Sequence, residues 1–242
     1  MAFRHKVRQW VQRFGVDVVR YPLHDPMART VRLLNHYDID HVLDVGANDG
    51  GFGSSIRQLG YIGRITSFEP LPQPFEALHR KAAEGHGWNA YQIAIGDAKQ
   101  NVDINVSGNS GLSSSVLPML DSHTEVAPNS RYVDTYTVAQ DRLDSLLFEL
   151  GVPVGDRAFL KIDVQGYEGA VLEGASGLFE RGAISGLQLE LSLTQLYAGG
   201  MTYREGLDRA EALGFTLMGL DPVFSDPKSG RLLQADAVFF KA

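Results

Sequence analysis

The chain has 242 residues, a formal net charge of −7 and no cysteine. Its length suits one large α/β domain, and its composition, 44% apolar and 21% charged, is too apolar for a disordered chain. The acidic balance argues against nucleic acid or an anionic membrane as the main partner. The absence of cysteine excludes disulfides, zinc–thiolate sites and thiol catalysis.

The N-terminal region has the pattern of two helices. Residues 4–19 place apolar side chains at helical spacing, with a basic opposite face. This predicts a helix packed on the domain edge, or one that touches a membrane surface or an anionic acceptor. Asp25 is predicted to cap a second helix, which runs to about residue 37. We expect a helical extension over 1–37 and a Rossmann-like core over 38–242, together forming a single domain.

Short apolar runs alternate with helical patterns from residue 41 onward. Strands alternating with helices predict a mostly parallel sheet with helices on both faces, and the last two strands are predicted to form an antiparallel pair. Residues 102–106 alternate like an edge strand, whereas 107–134 form the longest irregular stretch. The main predicted strands are 41–45, 64–68, 88–95, 159–164, 186–193, 215–220 and 235–241.

A glycine-containing turn follows the first predicted strand. In open α/β sheets, ligands bind outside the carboxyl ends of the strands, and Gly46 allows the backbone to approach a ligand closely. A dinucleotide site requires the pattern G-x-G-x-x-G, but Asn48 replaces its second glycine. Asp44 and Asp49 beside the turn would repel a pyrophosphate and suit the positive charges of S-adenosylmethionine. We therefore predict a nucleoside site here that includes Gly50.

Acidic residues follow the next two strands. Glu69, after the second strand, is placed to accept both ribose hydroxyls of a nucleoside, as the acidic residue of a dinucleotide fold does. Asp97, after the third strand, is interpreted either as a partner for the adenine amino group or as a plain turn residue.

Charged residues also lie on predicted buried strands. Lys161 and Asp163 share one face because side chains alternate along a strand. A lone buried charge is costly, so these residues must be paired or functional. Lys161 is interpreted as a structural ion-pair partner or as a catalytic or acceptor-binding residue, and Glu190 lies on the next strand. Glu168 is explained by the dipole of the helix that it begins.

Together these segments resemble the FkbM family of methyltransferases, from about residue 19 to the C-terminus. Many members carry Glu where this chain has Gln165. The segments that carry the resemblance, in chain order, are VLDVGANDGG at 42–51, FEP at 68–70, AIGD at 94–97, SSS at 113–115, LKIDVQGYE at 160–168 and LELSL at 189–193.

The resemblance implies a class I methyltransferase fold, with a mostly parallel seven-stranded sheet and an antiparallel strand near the C-terminus. It implies S-adenosyl-L-methionine as the cofactor, with Pro70 and Ile95 beside it, and transfer to a hydroxyl oxygen. Acceptors in such families include sugars, glycolipids and polyketide-type metabolites.

Methyl transfer to a hydroxyl requires alignment of the reactants and removal of a proton. Asp163 is the first candidate for the general base or for the group that orients the acceptor, and it also lies near the cofactor. Glu190 is the second candidate. His123, in the irregular stretch, is either a third candidate base or a solvated loop residue. The stretch itself is predicted to cover the acceptor, and we predict no metal.

Two other functions compete with this hypothesis. One is an NAD(P)-dependent oxidoreductase on a related fold, and the other is a non-catalytic nucleoside-binding module. We expect a small-molecule, saccharide or glycolipid acceptor, no nucleic acid partner and no integral membrane segment. We expect a cytoplasmic location because no apolar run approaches the roughly 20 residues of a membrane span and none suggests a signal peptide. The sequence leaves a homodimer open.

Overall fold

The computed structural model describes residues 7, 10, 11, 13, 14, 25–155 and 157–241. The predicted helix over 4–19 therefore lies largely outside the described residues. The strands are β1 (His41–Val45), β2 (Arg64–Phe68), β3 (Trp88–Tyr91), β4 (Ala94–Ile95), β5 (Gln100–Ser107), β6 (Tyr132–Asp141), β7 (Ala158–Ile162), β8 (Ile184–Ser192), β9 (Phe215–Ser225) and β10 (Leu232–Lys241). The helices are α1 (Pro26–His36), α2 (Gly51–Gln58), α3 (Pro72–Glu84), α4 (Asp121–Thr124), α5 (Leu143–Glu149), α6 (Glu168–Gly174), α7 (Ser176–Glu180) and α8 (Tyr203–Ala212).

The main sheet has seven strands in the order β3-β2-β1-β7-β8-β10-β9. Strands β3, β2, β1, β7 and β8 pair in parallel, whereas β10 is antiparallel to both of its neighbours. This arrangement confirms the predicted mostly parallel seven-stranded sheet with an antiparallel strand near the C-terminus. The last two strands extend beyond their predicted bounds because the hairpin pairs down to Leu232 and Ser225.

Apolar side chains cover both faces of the main sheet. Leu43 and Leu160 belong to a core cluster on the side of α5, α6, α7 and α8. Val42 and Phe159, one position away on the same strands, belong to the cluster on the side of α1, α2 and α3. Strand alternation therefore supplies both halves of the core. The burial of helices against both faces confirms the predicted layering.

Helix α1 begins as predicted. The Asp25 side chain accepts a hydrogen bond from the Ala28 amide at 2.7 Å and caps the helix. Val31 and Leu34 are buried in the same cluster as Phe240, so α1 packs directly on the sheet. None of the helices among the described residues combines the length and the apolar character needed to cross a membrane.

A second sheet, with the order β4-β6-β5, corrects two expectations. The predicted strand over 88–95 is two strands, β3 and β4, which belong to different sheets. The predicted edge strand over 102–106 exists as β5 but pairs with β6, which had not been predicted. The segment is rich in Tyr, Thr and Val, which favour strands, but most of its side chains are exposed and its pairing with β5 is a contact between distant parts of the chain. The irregular stretch consequently ends where β6 begins, and it also contains α4.

Candidate active site

The ends of three neighbouring strands bring the site together. Val45 of β1 pairs with Phe68 of β2 and with Ile162 of β7. The residues that follow these three positions are Gly46, Glu69 and Asp163, and they meet at the carboxyl edge of the sheet. A ligand site at this edge is the expectation for an open α/β sheet.

A cleft of about 730 Å³, including its open mouth, lies against these strand ends. The predicted residues Gly46, Asn48, Glu69, Pro70, Ile95 and Asp163 all line it. The remaining lining residues come from the strand ends, the small sheet and residues 111–116; they are Val45, Phe68, Leu71, Ile93, Ala94, Ile104, Gly111, Leu112, Ser114, Ser115, Val116, Val164, Gln165 and Tyr167.

The turn after β1 depends on left-handed backbone. Gly46 has φ +74°, and Asn48 has φ +47°, a conformation that Asn tolerates better than most residues. The Asn48 amide donates a hydrogen bond to Glu69 Oε2 at 2.9 Å, which fastens the turn to the end of β2. Gly50, with φ +82°, is the N-cap of α2 and does not line the cleft. A Cβ atom on Gly50 would meet Leu78 and Trp88, and the role of Gly50 at the cofactor stays a prediction.

Glu69 is the buried carboxylate of the cleft, with 6% of its surface exposed. Its Oε1 accepts a hydrogen bond from the Leu71 amide at 2.9 Å, and its Oε2 accepts the bond from Asn48. Burial raises the pKa of Glu69 to about 7, although these two amides act in the opposite direction. A carboxylate can accept about four hydrogen bonds, so two backbone donors leave acceptor capacity for a ligand.

The two aspartates flanking the turn do not lie in the cleft, contrary to expectation. Asp44 is completely buried, and its Oδ1 lies 3.2 Å from Lys161 Nζ. The exposed Asp49 pairs instead with Lys81 of α3 at 2.9 Å. Each carboxylate is thus neutralised by a lysine that is distant in the sequence. The predicted repulsion of a pyrophosphate by these two charges therefore has no basis in the structure.

Asp163 lies at the wall of the cleft, and 35% of its side chain is exposed. Its Oδ2 lies 3.4 Å from Lys161 Nζ, which also donates to the Gly46 carbonyl at 3.0 Å. Burial lowers the pKa of Lys161, but the carboxylates of Asp44 and Asp163 outweigh it and raise this pKa overall. Lys161 is therefore a buried cation between two aspartates, which matches the structural interpretation of this residue.

Glu190, Asp97 and His123, which were also predicted as site residues, do not line the cleft either. Glu190 is buried behind the cleft and accepts hydrogen bonds from Gln165 and Gln234. Burial raises the pKa of Glu190 well above its ordinary value. Asp97 is exposed, and its carbonyl accepts a hydrogen bond from Arg142 at 2.9 Å.

The third, His123, is neither solvated nor at the cleft. Only 2% of it is exposed, because its ring packs against Tyr197 and Phe224. Burial lowers the pKa of His123. Its Nε2 lies 3.5 Å from the Ser113 hydroxyl. The residue therefore anchors the irregular stretch to the main body of the protein.

Gln165 was not predicted as a site residue, yet it connects several parts of the site. Its side chain contacts Asp163, Glu190 and Tyr197, and its carbonyl accepts a hydrogen bond from Ser115 at 2.7 Å. The signal available in the sequence was a polar residue between a strand-end aspartate and Gly166. Glu168, as expected, serves its own helix start, because it accepts bonds from the Val164 and Gly166 amides.

The family of the chain follows from comparison with known proteins. The methyltransferase FkbM domain matches residues 44–217, more than half of the chain. The 2-O-methyltransferase NoeI of Sinorhizobium fredii (strain NBRC 101917 / NGR234) is 26% identical over 173 residues, 69% of each chain.

Similar solved structures are more distant. They include a putative caffeoyl-CoA O-methyltransferase from Staphylococcus aureus, with TM-score 0.48, 9% identity and coverage of 99% of this chain and 92% of that one. Another is a precorrin-6y C5,15-methyltransferase from Geobacter metallireducens GS-15, with TM-score 0.47, 14% identity and 93% coverage of both chains. The assignment rests on the family match, together with the strand order and the strand-end cleft. The chain belongs to the FkbM family of methyltransferases, has the class I methyltransferase fold and uses S-adenosylmethionine.

Proposed function

We propose that the protein transfers a methyl group to a hydroxyl oxygen of a sugar, glycolipid or polyketide-type acceptor. The main support for the proposal is the difference in exposure and hydrogen bonding between the two carboxylates that line the described cleft. Glu69 is buried and accepts two backbone hydrogen bonds, whereas Asp163 remains partly exposed. Asp163 is thus the carboxylate that an acceptor hydroxyl can reach.

The lining of the cleft suits the cofactor. Glu69 retains acceptor capacity for the ribose hydroxyls, and Gly46 brings bare backbone to the cleft wall. Leu71, Ile95 and Ile104 offer an apolar surface for the adenine ring. When bound, S-adenosylmethionine supplies an electrophilic methyl group. Asp44, Asp49, Gly50 and Asp97 have no part in this proposal because they do not line the cleft.

The chemical task of the protein is then to align the hydroxyl and to remove its proton. Asp163 accepts that proton through the oxygen atoms that its exposure leaves accessible. Lys161, 3.4 Å from Asp163 Oδ2, holds this carboxylate at the cleft wall. Glu190 and His123 are buried elsewhere and take no proton from the acceptor.

A second groove, of about 870 Å³, offers a place for the acceptor beside the cleft. Tyr167 lines both, so a ligand in the groove borders the cofactor cleft. Gln195, Thr202, Glu205 and Arg209 supply polar groups along the groove. Such groups suit the hydroxyls of a saccharide. The name of NoeI, a 2-O-methyltransferase, also favours a hydroxyl as the methylated group.

The test uses S-adenosylmethionine labelled with ¹³C in its methyl group and a panel of methyl glycosides, each with a matched 2-deoxy sugar. We expect a labelled product whose methyl carbon shift identifies attachment to oxygen. Loss of product with the 2-deoxy partner would place transfer at the 2-hydroxyl. A methyl carbon bonded to nitrogen or carbon, with any acceptor, would refute the proposal.

A further inference from the structure

The side chain of Gln165 uses its amide group in three directions. Its Nε2 donates to Asp163 Oδ1 at 3.0 Å and to Glu190 Oε2 at 2.8 Å. Its Oε1 accepts from the hydroxyl of Tyr197, also at 2.8 Å. Both N–H bonds and one lone pair are thus engaged. Rotating the amide by half a turn would set its oxygen against two carboxylates, so the orientation is determined by its partners.

The backbone of Gln165 is held as firmly as its side chain. Its φ is +55°, in the left-handed region that non-glycine residues rarely adopt. Its carbonyl accepts the 2.7 Å hydrogen bond from Ser115, which belongs to the stretch that lines the cleft. The Tyr197 hydroxyl also lies 3.2 Å from the Ser113 carbonyl. Strained backbone retained beside a cleft is a common feature of functional sites.

Asp163 is therefore held at both carboxylate oxygens. Lys161 lies beside Oδ2, and Gln165 donates to Oδ1. We propose that Gln165 is a positioning residue, which fixes the orientation of the Asp163 carboxylate and connects it to the stretch over 111–116. This inference rests on the proposed role of Asp163. In this chain the amide donates to two acidic groups, which an ionised glutamate at the same position could not do.

The charged neighbours of Asp163 come from several elements. Lys161 lies on the same strand, Glu168 on α6, Glu190 on β8 and Asp236 on β10. Lys161 is the single cation among these four groups. An additional carboxyl group at position 165 would therefore add to an environment already rich in acid.

The chain offers a matched control in Gln234. Its Nε2 also donates to Glu190 Oε2, at 2.7 Å, but Asp163 is not among its hydrogen-bond partners. Gln165→Glu and Gln234→Glu each add an acid beside Glu190, and only the first adds one beside Asp163. Gln165→Met removes the hydrogen bonds without adding charge, and it serves if the glutamate variant does not fold.

The experiment follows the titration of Asp163 by carbon NMR in protein labelled at the aspartate carboxyl carbon, with the resonance identified by its loss in Asp163→Asn. We expect Gln165→Glu to raise the midpoint of that resonance by about one pH unit or more, and Gln165→Met to raise it by less. Gln234→Glu should leave the midpoint unchanged. With an acceptor in hand, both Gln165 variants should reduce kcat about tenfold or more without a matching change in cofactor affinity.

An unchanged Asp163 midpoint in both Gln165 variants would overturn the inference, as would an equal shift in Gln234→Glu. The proposed function fails by a different result, namely parental turnover in Asp163→Asn. The two failures are distinguishable because the titration requires neither acceptor nor cofactor.

Discussion

Gly46 and Asp163 approach each other so closely that a Cβ atom on Gly46 would lie 1.8 Å from the Asp163 carbonyl oxygen. Gly46 also has φ +74°, in the region where only glycine is free of strain. The contact joins the ends of β1 and β7 where the cleft begins. Gly46 is thus required for the packing of the two strand ends.

The first prediction follows from this contact. We expect Gly46→Ala to destabilise the protein by about 4 kcal/mol or more, because both a backbone clash and a strained φ result. Gly230 is the matched control, since it has the same φ, +74°, and a Cβ atom there would meet nothing within 4 Å. Gly230→Ala should cost only about 1–2 kcal/mol. Urea unfolding measures both variants, and equal losses would refute the role of the contact.

The second prediction compares two lysine–aspartate pairs. Lys161→Met leaves Asp44 buried without its cation, which should cost about 3–5 kcal/mol. Lys81→Met breaks the exposed pair with Asp49 and should cost about 1 kcal/mol or less. Denaturant unfolding of the two variants provides the comparison. A loss in Lys161→Met no larger than in Lys81→Met would show that the buried pair does not stabilise the fold.

The third prediction concerns the pH dependence of cofactor binding. The pKa of Glu69 is raised to about 7 by burial, and a carboxylate that accepts ribose hydroxyls must be ionised. Affinity for S-adenosylhomocysteine should therefore rise with pH and level off above about pH 7, changing at most about tenfold per pH unit below it. Calorimetry of the parent and of Glu69→Gln tests this dependence. Glu69→Gln should bind S-adenosylhomocysteine more weakly and should lose the rise in affinity towards pH 7. An identical pH profile in the parent and the variant would show that Glu69 is not the source of this rise.

The Glu69 carboxyl should also make the stability of the fold depend on pH, in the opposite direction to its effect on cofactor affinity. Because its pKa is higher in the folded state than in the unfolded chain, protonation favours folding. The contribution of Glu69 to the free energy of unfolding should thus decline as the pH rises from the pKa of Glu69 in the unfolded chain to its pKa in the folded protein, about 7. Comparing the pH dependence of unfolding in the parent and in Glu69→Gln isolates this contribution. A contribution that grows over this pH range would show that the pKa of Glu69 is not raised in the folded protein.

The fourth prediction addresses the proposed base. Asp163→Asn is nearly isosteric and should retain the fold, but it should reduce turnover by roughly 10²–10⁴-fold because a positioned base is lost. Cofactor affinity, measured by calorimetry, should change less than turnover. If Asp163→Asn methylates its acceptor at the parental rate, proton removal does not depend on this residue.

The fifth prediction distinguishes nucleoside ligands by thermal unfolding. S-adenosylhomocysteine at about 100 times its dissociation constant should stabilise the folded protein by roughly 2.7 kcal/mol. NAD(H) should leave the melting temperature unchanged, and Glu69→Gln should weaken the response to S-adenosylhomocysteine. Stabilisation by NAD(H) alone would contradict the choice of cofactor.

Local patterns were sufficient to predict the main sheet and much of the cleft lining. Apolar periodicity located the strands, and parallel strands end at one edge, so Gly46, Glu69 and Asp163 could be expected near each other. The cap at Asp25 was also predictable, because capping involves residues a few positions apart. The chemical roles of Glu69 and Asp163 stay predictions. Strand β6 was not predicted although Tyr, Thr and Val favour strands, and its pairing with β5 is a long-range contact that no local pattern shows.

The sequence by itself determined which residue types lie at the strand ends, whereas only the tertiary structure decided which of them face the cleft. The partners of Asp44 and Asp49 are Lys161 and Lys81, which are distant along the chain and come close only when the helices and strands pack. The same packing buried His123 and brought Gln165 to two carboxylates. Side-chain neighbours of this kind depend on long-range contacts, and no local periodicity encodes them.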